Sequence, residues 1–317
     1  MLELLFDGHS DVLYGLNRWR RQGEQDVFRR RYRAAFAQGP VMGGIFVLWS
    51  NPEDGVSEAE QLAQQLQTVR QEAAQGADCL VWVRTAADLQ QSQQQQKLAF
   101  VLGVEGLEGC AQEAAAVDWL YEQGVRHVGL TWNGANGFAA GAQSHGGLTA
   151  VGRQAVRRAQ QRGMLLDVAH LNDTSMQEVL QLAQGPVLAS HCNSRRLCNV
   201  PRNLTDEQAK TIAATGGVIG VNSHPPFIAA DRSQQDLQHL ADHIVHWSQL
   251  LGVAHVGLGL DLNYWENDRT DDKPADGMQY QQCGQLLQIL RDRGFRDSEL
   301  RQIWRDNFLR VLRQTLT

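Results

Sequence analysis

His9 and Asp11 have the spacing of two metal ligands at the end of a β-strand. They lie in the segment Leu4–Val12, which starts with apolar residues and continues as Asp-Gly-His-Ser-Asp. Side chains at positions i and i+2 of a strand point in the same direction, so the imidazole and the carboxylate would converge on one ion. A single His-x-Asp pair is common by chance. The prediction of a metal site therefore depends on further ligands elsewhere in the chain.

The elements that would position such ligands are short apolar runs rich in β-branched residues, separated by segments long enough for a helix. The runs cover residues 2–7, 41–48, 99–104, 126–131, 164–168, 186–189, 217–222 and 255–260. Parallel strands joined by helical crossovers can close into a barrel that has no exposed edge. The pattern predicts an α/β fold, a (β/α)8 TIM-type barrel, as one domain over residues 1–317.

The carboxyl ends of these runs carry a set of side chains in which metal-binding types dominate, and barrel enzymes place their chemistry at this end. The residues are His9, Asp11, Glu105, Trp132, Asn133, His170, His191, Asn222 and Asp261. A merely solvated rim would carry mixed polar residues, whereas histidines and carboxylates dominate this set. We therefore expect these side chains to surround one site.

The set has the chemistry of a site for zinc or a related divalent ion, because it combines imidazole nitrogens with carboxylate oxygens. Glu105 can use both oxygens, which allows two ions. One ion would be held by His9, Asp11 and Glu105, and the other by Glu105, His170 and His191. Paired ions lower the pKa of a shared water and supply a hydroxide nucleophile at neutral pH. Asp261 binds no ion in this assignment and would serve as general base and acid.

Motifs in a specific order carry a family resemblance over most of the chain. They are Asp7-Gly-His-Ser-Asp11, Gly103-Val-Glu-Gly106, Gly124–Asn133, Asp167-Val-Ala-His170, Ser190-His191, Pro201–Asp206, Gly216–Asn222 and Gly257-Leu-Gly-Leu-Asp261. Several are weak alone, but together they are specific. The chain resembles the membrane (renal) dipeptidase family of zinc peptidases, in its bacterial branch.

This resemblance implies a barrel of the metal-dependent hydrolase type that acts as a zinc-dependent dipeptidase, with two zinc ions bridged by Glu105. His9, Asp11, His170 and His191 would complete the ligand set. Asp261 would pass a proton from the attacking hydroxide to the leaving amine. Arg202 matches the arginine that holds the C-terminal carboxylate of the substrate, a task that suits a guanidinium fork. The family tolerates a D-residue at the C-terminal position, so L,D-dipeptides are expected among the substrates.

Three departures from the family pattern affect the expected pocket. Trp132 stands where well-studied animal members have a histidine that is thought to bind substrate and stabilise the tetrahedral intermediate. The usual Asp-Phe-Asp-Gly after the last strand is Asp261-Leu-Asn-Tyr-Trp265 here, and Ser10 replaces a frequent asparagine. We expect Trp132 and Asn222 to contact substrate and Tyr264 to reshape the pocket wall.

Two other functions fit the same residues. The first is an amidohydrolase that acts on N-acyl amino acids, cyclic amides or lactones, because the same metals and hydroxide serve many carbonyl substrates. The second is a catalytically silent barrel that binds a metabolite, with Trp132 as a sign of lost activity. The retained ligands and Asp261 argue against the silent barrel.

Other histidines have simpler interpretations. His127 lies in an apolar run and is expected to be a packed or hydrogen-bonded strand residue. His239 and His243 have i, i+4 spacing on a predicted helix, but the glutamate of a His-Glu-x-x-His zinc helix is missing, so they receive no role.

Composition limits the classes of partner. The net charge is −6 and no basic block stands alone, so nucleic acid is not expected as a partner. No apolar run has the length of a membrane span, and the first strand starts without a leader pattern, so no membrane association is expected. Five cysteines, an odd number without framework spacing, favour a reduced cytoplasmic location. The resemblance also allows a homodimer.

Overall fold

The computed structural model describes residues 4–262 and 278–316, and its centre is one parallel β-sheet. The strands are β1 Leu5–Ser10, β2 Val41–Leu48, β3 Leu80–Val83, β4 Leu98–Glu105, β5 His127–Gly129, β6 Leu165–Asp167, β7 Val187–Ala189, β8 Val218–Val221 and β9 Val256–Leu258. Each of the eight predicted runs overlaps one of them. β1 ends at Ser10, beyond the predicted boundary at residue 7, so His9 lies within the strand.

The sheet curves into a barrel in which the strands follow the order β1-β2-β4-β5-β6-β7-β8-β9. All paired strands are parallel, which confirms the predicted (β/α)8 class. β9 approaches β1 through single hydrogen bonds: the Asp261 N–H donates to the His9 carbonyl at 3.4 Å, and the Leu260 N–H donates to Asp7 Oδ1 at 2.8 Å. The barrel is therefore nearly closed.

Strand β3 is an addition that the sequence pattern did not predict. It pairs in parallel with β4 and lies outside the barrel order. Leu80–Val83 has only four residues, two of them half-buried, so its apolar signal is short. Edge position and short length explain why periodicity missed this strand.

Helices cover the barrel between successive strands. They are α1 Val12–Arg21, α2 Arg33–Gln38, α3 Glu58–Gln75, α4 Ala86–Gln95, α5 Ala115–Glu122, α6 Ala150–Gln161, α7 Asp173–Leu182, α8 Asp206–Ala214, α9 Pro225–Ile228, α10 Leu237–Leu251, α11 Cys283–Asp292, α12 Asp297–Arg301 and α13 Asn307–Thr315. Polar side chains accept hydrogen bonds from first-turn N–H groups at many helix starts, as at Ser57, Thr149 and Asn172. Among the described residues, no helix combines the length and the apolar character needed to span a bilayer.

The barrel interior is filled by apolar side chains from alternate strand positions. This cluster includes Phe6, Ile45, Val47, Ala99, Val101, Leu165, Leu188, Val218 and Phe308. Phe308 comes from α13, and its ring lies so close to Gly8 and Gly257 that a Cβ at these positions would be 2.3 and 2.4 Å from ring carbons. The Asn307 amide donates to the carbonyls of Val253 and Val256 at the start of β9. α13 therefore seals the N-terminal end of the barrel, opposite the strand ends that carry the site.

Candidate metal centre

Glu105 lies at the centre of the side chains that meet at the carboxyl ends of the strands. It is the last residue of β4, and its Oε1 lies 2.6 Å from His170 Nε2 and 3.3 Å from His191 Nε2. Its Oε2 lies 3.7 Å from His9 Nε2. One carboxylate thus faces histidines from three different strands, which is the position predicted for a bridging ligand.

His9, Asp11 and Asp261 form the other side of the cluster. His9 Nε2 lies 3.4 Å from Asp11 Oδ1 and 3.8 Å from Asp261 Oδ1. Ligand atoms lie within 4.8 Å of one another in two groups, one of His9, Glu105 and His191 and one of His9, Asp11 and Asp261. The structure thus brings Asp261 as close to a metal position as the predicted ligands, although the sequence assigned it no ion.

Several polar atoms of this cluster are buried without a hydrogen-bond partner among the described residues. They are both ring nitrogens of His9 and Oδ1 of Asp11. Buried polar atoms are normally hydrogen-bonded because desolvation without a partner costs about 1–3 kcal/mol. Unpaired imidazole nitrogen and carboxylate oxygen, converging on one point, are the donor set that a divalent metal ion requires.

The electrostatics of the cluster favour a bound cation. Burial lowers the pKa of His9, but the carboxylates of Glu105 and Asp11 raise it to about 10. Burial raises the pKa of Glu105, but His170 and His9 hold it well below its usual range. Burial also lowers the pKa of His191 to about 3, which keeps this imidazole neutral. His191 is therefore neutral and Glu105 ionised, as metal ligands are, whereas His9 would release its proton on binding a metal ion.

Two site residues have a backbone conformation that residues other than glycine rarely adopt. His170 has φ +66° and Asp261 has φ +53°. Non-glycine residues in the left-handed region cost free energy and concentrate at functional sites. Both residues follow the ends of strands, where this turn of the backbone brings their side chains over the barrel mouth.

The ring of His170 is oriented by a residue to which sequence reasoning gave no role. Asn133 Oδ1 accepts a hydrogen bond from His170 Nδ1 at 3.0 Å. This bond leaves the His170 Nε2 lone pair facing Glu105, as a metal ligand requires. Asn133 follows β5 directly after Trp132, and that strand-end position was the available signal.

The predicted substrate residues differ in their exposure. The buried Arg202 donates from Nη2 to His191 Nε2 at 2.9 Å, so it reaches the ligand cluster. Trp132 is half-buried, with its ring centroid 6.3 Å from that of His170 and 5.6 Å from that of Trp49. Tyr264 and Trp265 lie outside the described residues.

Asn222 has contacts other than those expected of a pocket residue. Its side chain has no solvent exposure. Its Nδ2 donates to Asp261 Oδ2 at 2.9 Å, and its Oδ1 accepts from the His224 N–H at 2.6 Å. The direct neighbour of Asn222 is therefore the Asp261 carboxylate.

The remaining histidines have structural contacts. The buried His127 is hydrogen-bonded through Nε2 to Asp167 Oδ2 at 3.0 Å, which confirms it as a hydrogen-bonded strand residue. His243 on α10 is also buried: its Nδ1 accepts from the Ser194 N–H, and its Nε2 donates to the Ile228 carbonyl. His239, on the same helix, pairs with Asp236 at the surface.

Comparison with known proteins extends these observations. The family described as membrane dipeptidase (peptidase family M19) matches residues 3–317. The chain belongs to this family. It is therefore a metallo-dipeptidase by type, a hydrolase whose activity depends on metal. The resemblance inferred from the motifs is confirmed.

The chain is also similar to individual proteins from other organisms. An uncharacterized protein in the pqqA 5′ region of Klebsiella pneumoniae is 33% identical over 264 residues, which cover 80% of this chain and 95% of that protein. Dipeptidase verJ of Clonostachys rogersoniana is 29% identical over 285 residues, covering 82% of this chain and 72% of that protein.

Solved structures show the same fold at lower sequence identity. A metallo peptidase from Rhodobacter sphaeroides, liganded with a phosphinate mimic of the dipeptide L-Ala-D-Ala, has a TM-score of 0.87 at 21% identity and covers 99% of this chain and 100% of that chain. The dipeptidase AC has a TM-score of 0.88 at 21% identity, covering 100% and 99%.

Proposed function

We propose that this metallo-dipeptidase hydrolyses the peptide bond of dipeptides, L,D-dipeptides included, with two zinc ions. The observation that carries the proposal is the meeting of His9, Asp11, Glu105, His170 and His191 around one point, with Asp261 beside them. The family description as membrane dipeptidase supports a dipeptide substrate, and a structural relative is liganded with a mimic of L-Ala-D-Ala.

The five ligands fit two zinc ions through their donor atoms and their unpaired buried atoms. Glu105 has one oxygen toward His170 and His191 and the other toward His9, so it can serve both ions. Bound zinc would supply a water of lowered pKa as nucleophile and would polarise the scissile carbonyl. The Arg202 bond to His191 Nε2 uses the lone pair that would face zinc, so zinc binding would release Arg202.

Asp261 would carry the proton during hydrolysis. Its Oδ1 faces the cluster through His9, while its Oδ2 accepts the hydrogen bond of Asn222. Although burial raises the pKa of Asp261, His191 and His9 lower it to about 2. An ionised carboxylate at this place can accept the proton of the attacking water and return it to the leaving amine. We assign Asn222 the task of holding this carboxylate in position.

Arg202 would bind the free carboxylate of the substrate. It lies in the loop between β7 and α8, and its Nη2 reaches the ligand cluster. Arg202 would hold the substrate carboxylate and Asp261 would also hold its ammonium group, and the distance between these two charges would limit the substrate to two residues. The Arg202→Ala variant is expected to raise KM for dipeptides with a smaller effect on kcat, measured by steady-state kinetics. An unchanged KM would contradict this role.

Trp132 would contribute an aromatic surface beside the metal position. Trp49 packs against it, and Tyr14 stacks on Trp49 with a centroid distance of 5.0 Å. The Tyr14 hydroxyl donates to Asp54 Oδ1 at 2.9 Å, and this bond helps to fix the position of the three aromatic side chains. Such a surface provides apolar contact for a substrate side chain.

The deciding experiment measures amine release by zinc-reconstituted protein. The panel contains L,L- and L,D-dipeptides, tripeptides and N-acyl amino acids, and each reaction has a chelator control. We expect chelator-sensitive cleavage confined to dipeptides. Reaction of N-acyl amino acids alone would favour an amidohydrolase, and zinc binding without any turnover would favour the silent barrel.

A further inference from the structure

A chain of hydrogen bonds runs from His191 into the interior of the barrel. His191 Nδ1 lies 2.7 Å from Ser190 Oγ, and the Ser190 hydroxyl reaches Asp167 Oδ2. His127 Nε2 lies 3.0 Å from the same Asp167 oxygen. These four side chains are at most 4% exposed. We call His127, Asp167 and Ser190 the barrel relay.

The positions of the protons in the barrel relay follow from the contacts of Asp167. Its Oδ1 accepts from the N–H groups of Ala169 and Ser190, at 3.0 and 2.9 Å. Its Oδ2 faces the Ser190 hydroxyl and His127 Nε2. A carboxylate surrounded by donors is ionised. The single hydroxyl proton of Ser190 therefore points to Asp167, and the Ser190 oxygen accepts the proton of His191 Nδ1.

The barrel relay forms a polar layer within an apolar interior. Asp167 and Ser190 each lie two residues beyond an interior leucine, Leu165 and Leu188, and so point into the barrel as well. Space for the layer comes from Gly103, where a Cβ would be 2.6 Å from His127 Nδ1. Buried polar groups cost stability relative to an apolar core. Their placement directly below His191 indicates a task at the ligand cluster.

The other ligand histidines lack a charged partner of this kind. The His170 Nδ1–H has the neutral amide oxygen of Asn133 as its acceptor. His9 Nδ1 has no hydrogen-bond partner among the described residues. Among these three rings, His191 is the one connected to a buried carboxylate. Partners of this type fix the tautomer of a ligand histidine and increase its basicity.

We propose that the barrel relay holds His191 in its Nδ1–H tautomer and thereby sets the affinity of one of the two metal ions. Ser190 and Asp167 are positioning residues in this scheme, and His127 completes the contacts of Asp167. The inference rests on the proposed two-metal centre. It goes beyond that centre because it assigns control of the binding affinity for one ion to residues that contact neither metal nor substrate.

The test is zinc affinity, measured by competition with a chromogenic chelator on the full-length protein. Ser190→Ala removes the acceptor of His191, and Asp167→Asn removes the charge while keeping the shape. We expect each variant to weaken one of the two zinc binding steps about 10- to 100-fold and to leave the other step unchanged. Ser92→Ala is the matched control, because Ser92 is an equally buried serine whose hydroxyl donates to the Leu89 carbonyl far from the site.

A spectroscopic measurement separates positioning from general loss of structure. In cobalt-substituted protein, the visible absorption bands report the ligand field, and we expect them to shift in Ser190→Ala and Asp167→Asn but not in Ser92→Ala. Wild-type zinc affinity in Ser190→Ala would overturn the proposed role of the barrel relay. An equal loss of zinc affinity in Ser92→Ala would also overturn it. If Ser190→Ala does not fold, Asp167→Asn decides by the same criteria. A wild-type protein that binds fewer than two zinc ions would instead overturn the proposed metal centre.

Discussion

At the scale of single residues, the roles of the acids in the cluster depend on what faces each oxygen. Glu105 faces histidines with both oxygens, whereas Asp261 has one oxygen toward His9 and the other bound by Asn222. A carboxylate that keeps a hydrogen-bond partner outside the cluster can exchange a proton and stay in place. The distinction between metal ligand and proton carrier is therefore open to direct measurement.

The Asp261→Asn variant is expected to bind both zinc ions and to lose about 10²- to 10⁴-fold in kcat, the usual contribution of a general acid–base group. Zinc content by elemental analysis and kcat for the best dipeptide check this. Asp118→Asn is the control, because that acid lies on α5 and pairs with Arg162 at the surface, away from the ligand cluster. Loss of one zinc ion from Asp261→Asn would identify Asp261 as a ligand.

At the scale of elements, helix α10 supports the loops that follow β7 and β8. His243 accepts from the Ser194 N–H at 3.0 Å and donates to the Ile228 carbonyl at 2.9 Å, so it joins these two loops. The first loop carries Arg202 further along the chain. The bond from Ser194 needs the neutral imidazole, because a protonated Nδ1 cannot accept a hydrogen bond, and burial lowers the pKa of His243 to about 4.

This buried histidine makes stability depend on pH. In the unfolded chain, a histidine binds a proton below about pH 6.5, whereas folded His243 does so only near pH 4. Protonation thus favours the unfolded chain, so the folded state loses stability as pH falls from 6.5 to 4, and no such loss occurs above pH 7. The loss from this group is at most roughly 3 kcal/mol.

The variant His243→Gln cannot take up this proton. We expect it to be about 1–3 kcal/mol less stable than wild type at pH 7.5, with a deficit that shrinks as pH falls toward 4. Urea unfolding at several pH values measures this. His239→Gln, a change at the surface of the same helix, is expected to follow wild type. A deficit that stays constant with pH would contradict the assignment.

Helix α13 makes a separate contribution at the opposite end of the barrel. Phe308 fills the space beside Gly8 and Gly257, and it is 1% exposed. Phe308→Ala is expected to destabilise the protein by about 3–5 kcal/mol through lost burial and a residual cavity. Zinc content should not change, because the ligands lie at the other end of the strands. Unfolding in urea and elemental analysis test both statements, and a loss of zinc would contradict the separation of the two ends.

At the scale of the whole molecule, the proposed metal ligands come from strands that are far apart in sequence. His9 is in β1, Glu105 ends β4, and His170 and His191 follow β6 and β7. Ions held by these residues would join both sides of the nearly closed barrel. They would also remove the repulsion between buried carboxylates.

Removal of zinc is therefore expected to lower thermal stability. Each ion contributes about 4 kcal/mol when free zinc exceeds its dissociation constant 1,000-fold. Differential scanning calorimetry with zinc and with a chelator measures the difference in Tm. His170→Ala, which lacks one ligand, should show a smaller zinc-induced rise and no turnover. Equal Tm values in zinc and in chelator would contradict a structural contribution of the metal.

The barrel and the residues at its mouth could be predicted from the sequence alone. Strand periodicity and ligand spacing are local properties, and a closed parallel barrel brings every strand end to one place. His9, Asp11, Glu105, His170 and His191 could therefore be grouped before their distances were known. The short edge strand β3 was not predicted, because four residues carry little periodic signal.

The residues that hold these side chains in position could be identified only from the folded structure. Asn133 meets His170 across 37 positions of sequence, and His127 meets Asp167 across 40. Asn222 turned out to hold Asp261, and α13 to close the barrel through Phe308. Contacts of this kind depend on the curvature of the sheet and on side-chain orientation, which single-sequence periodicity does not encode.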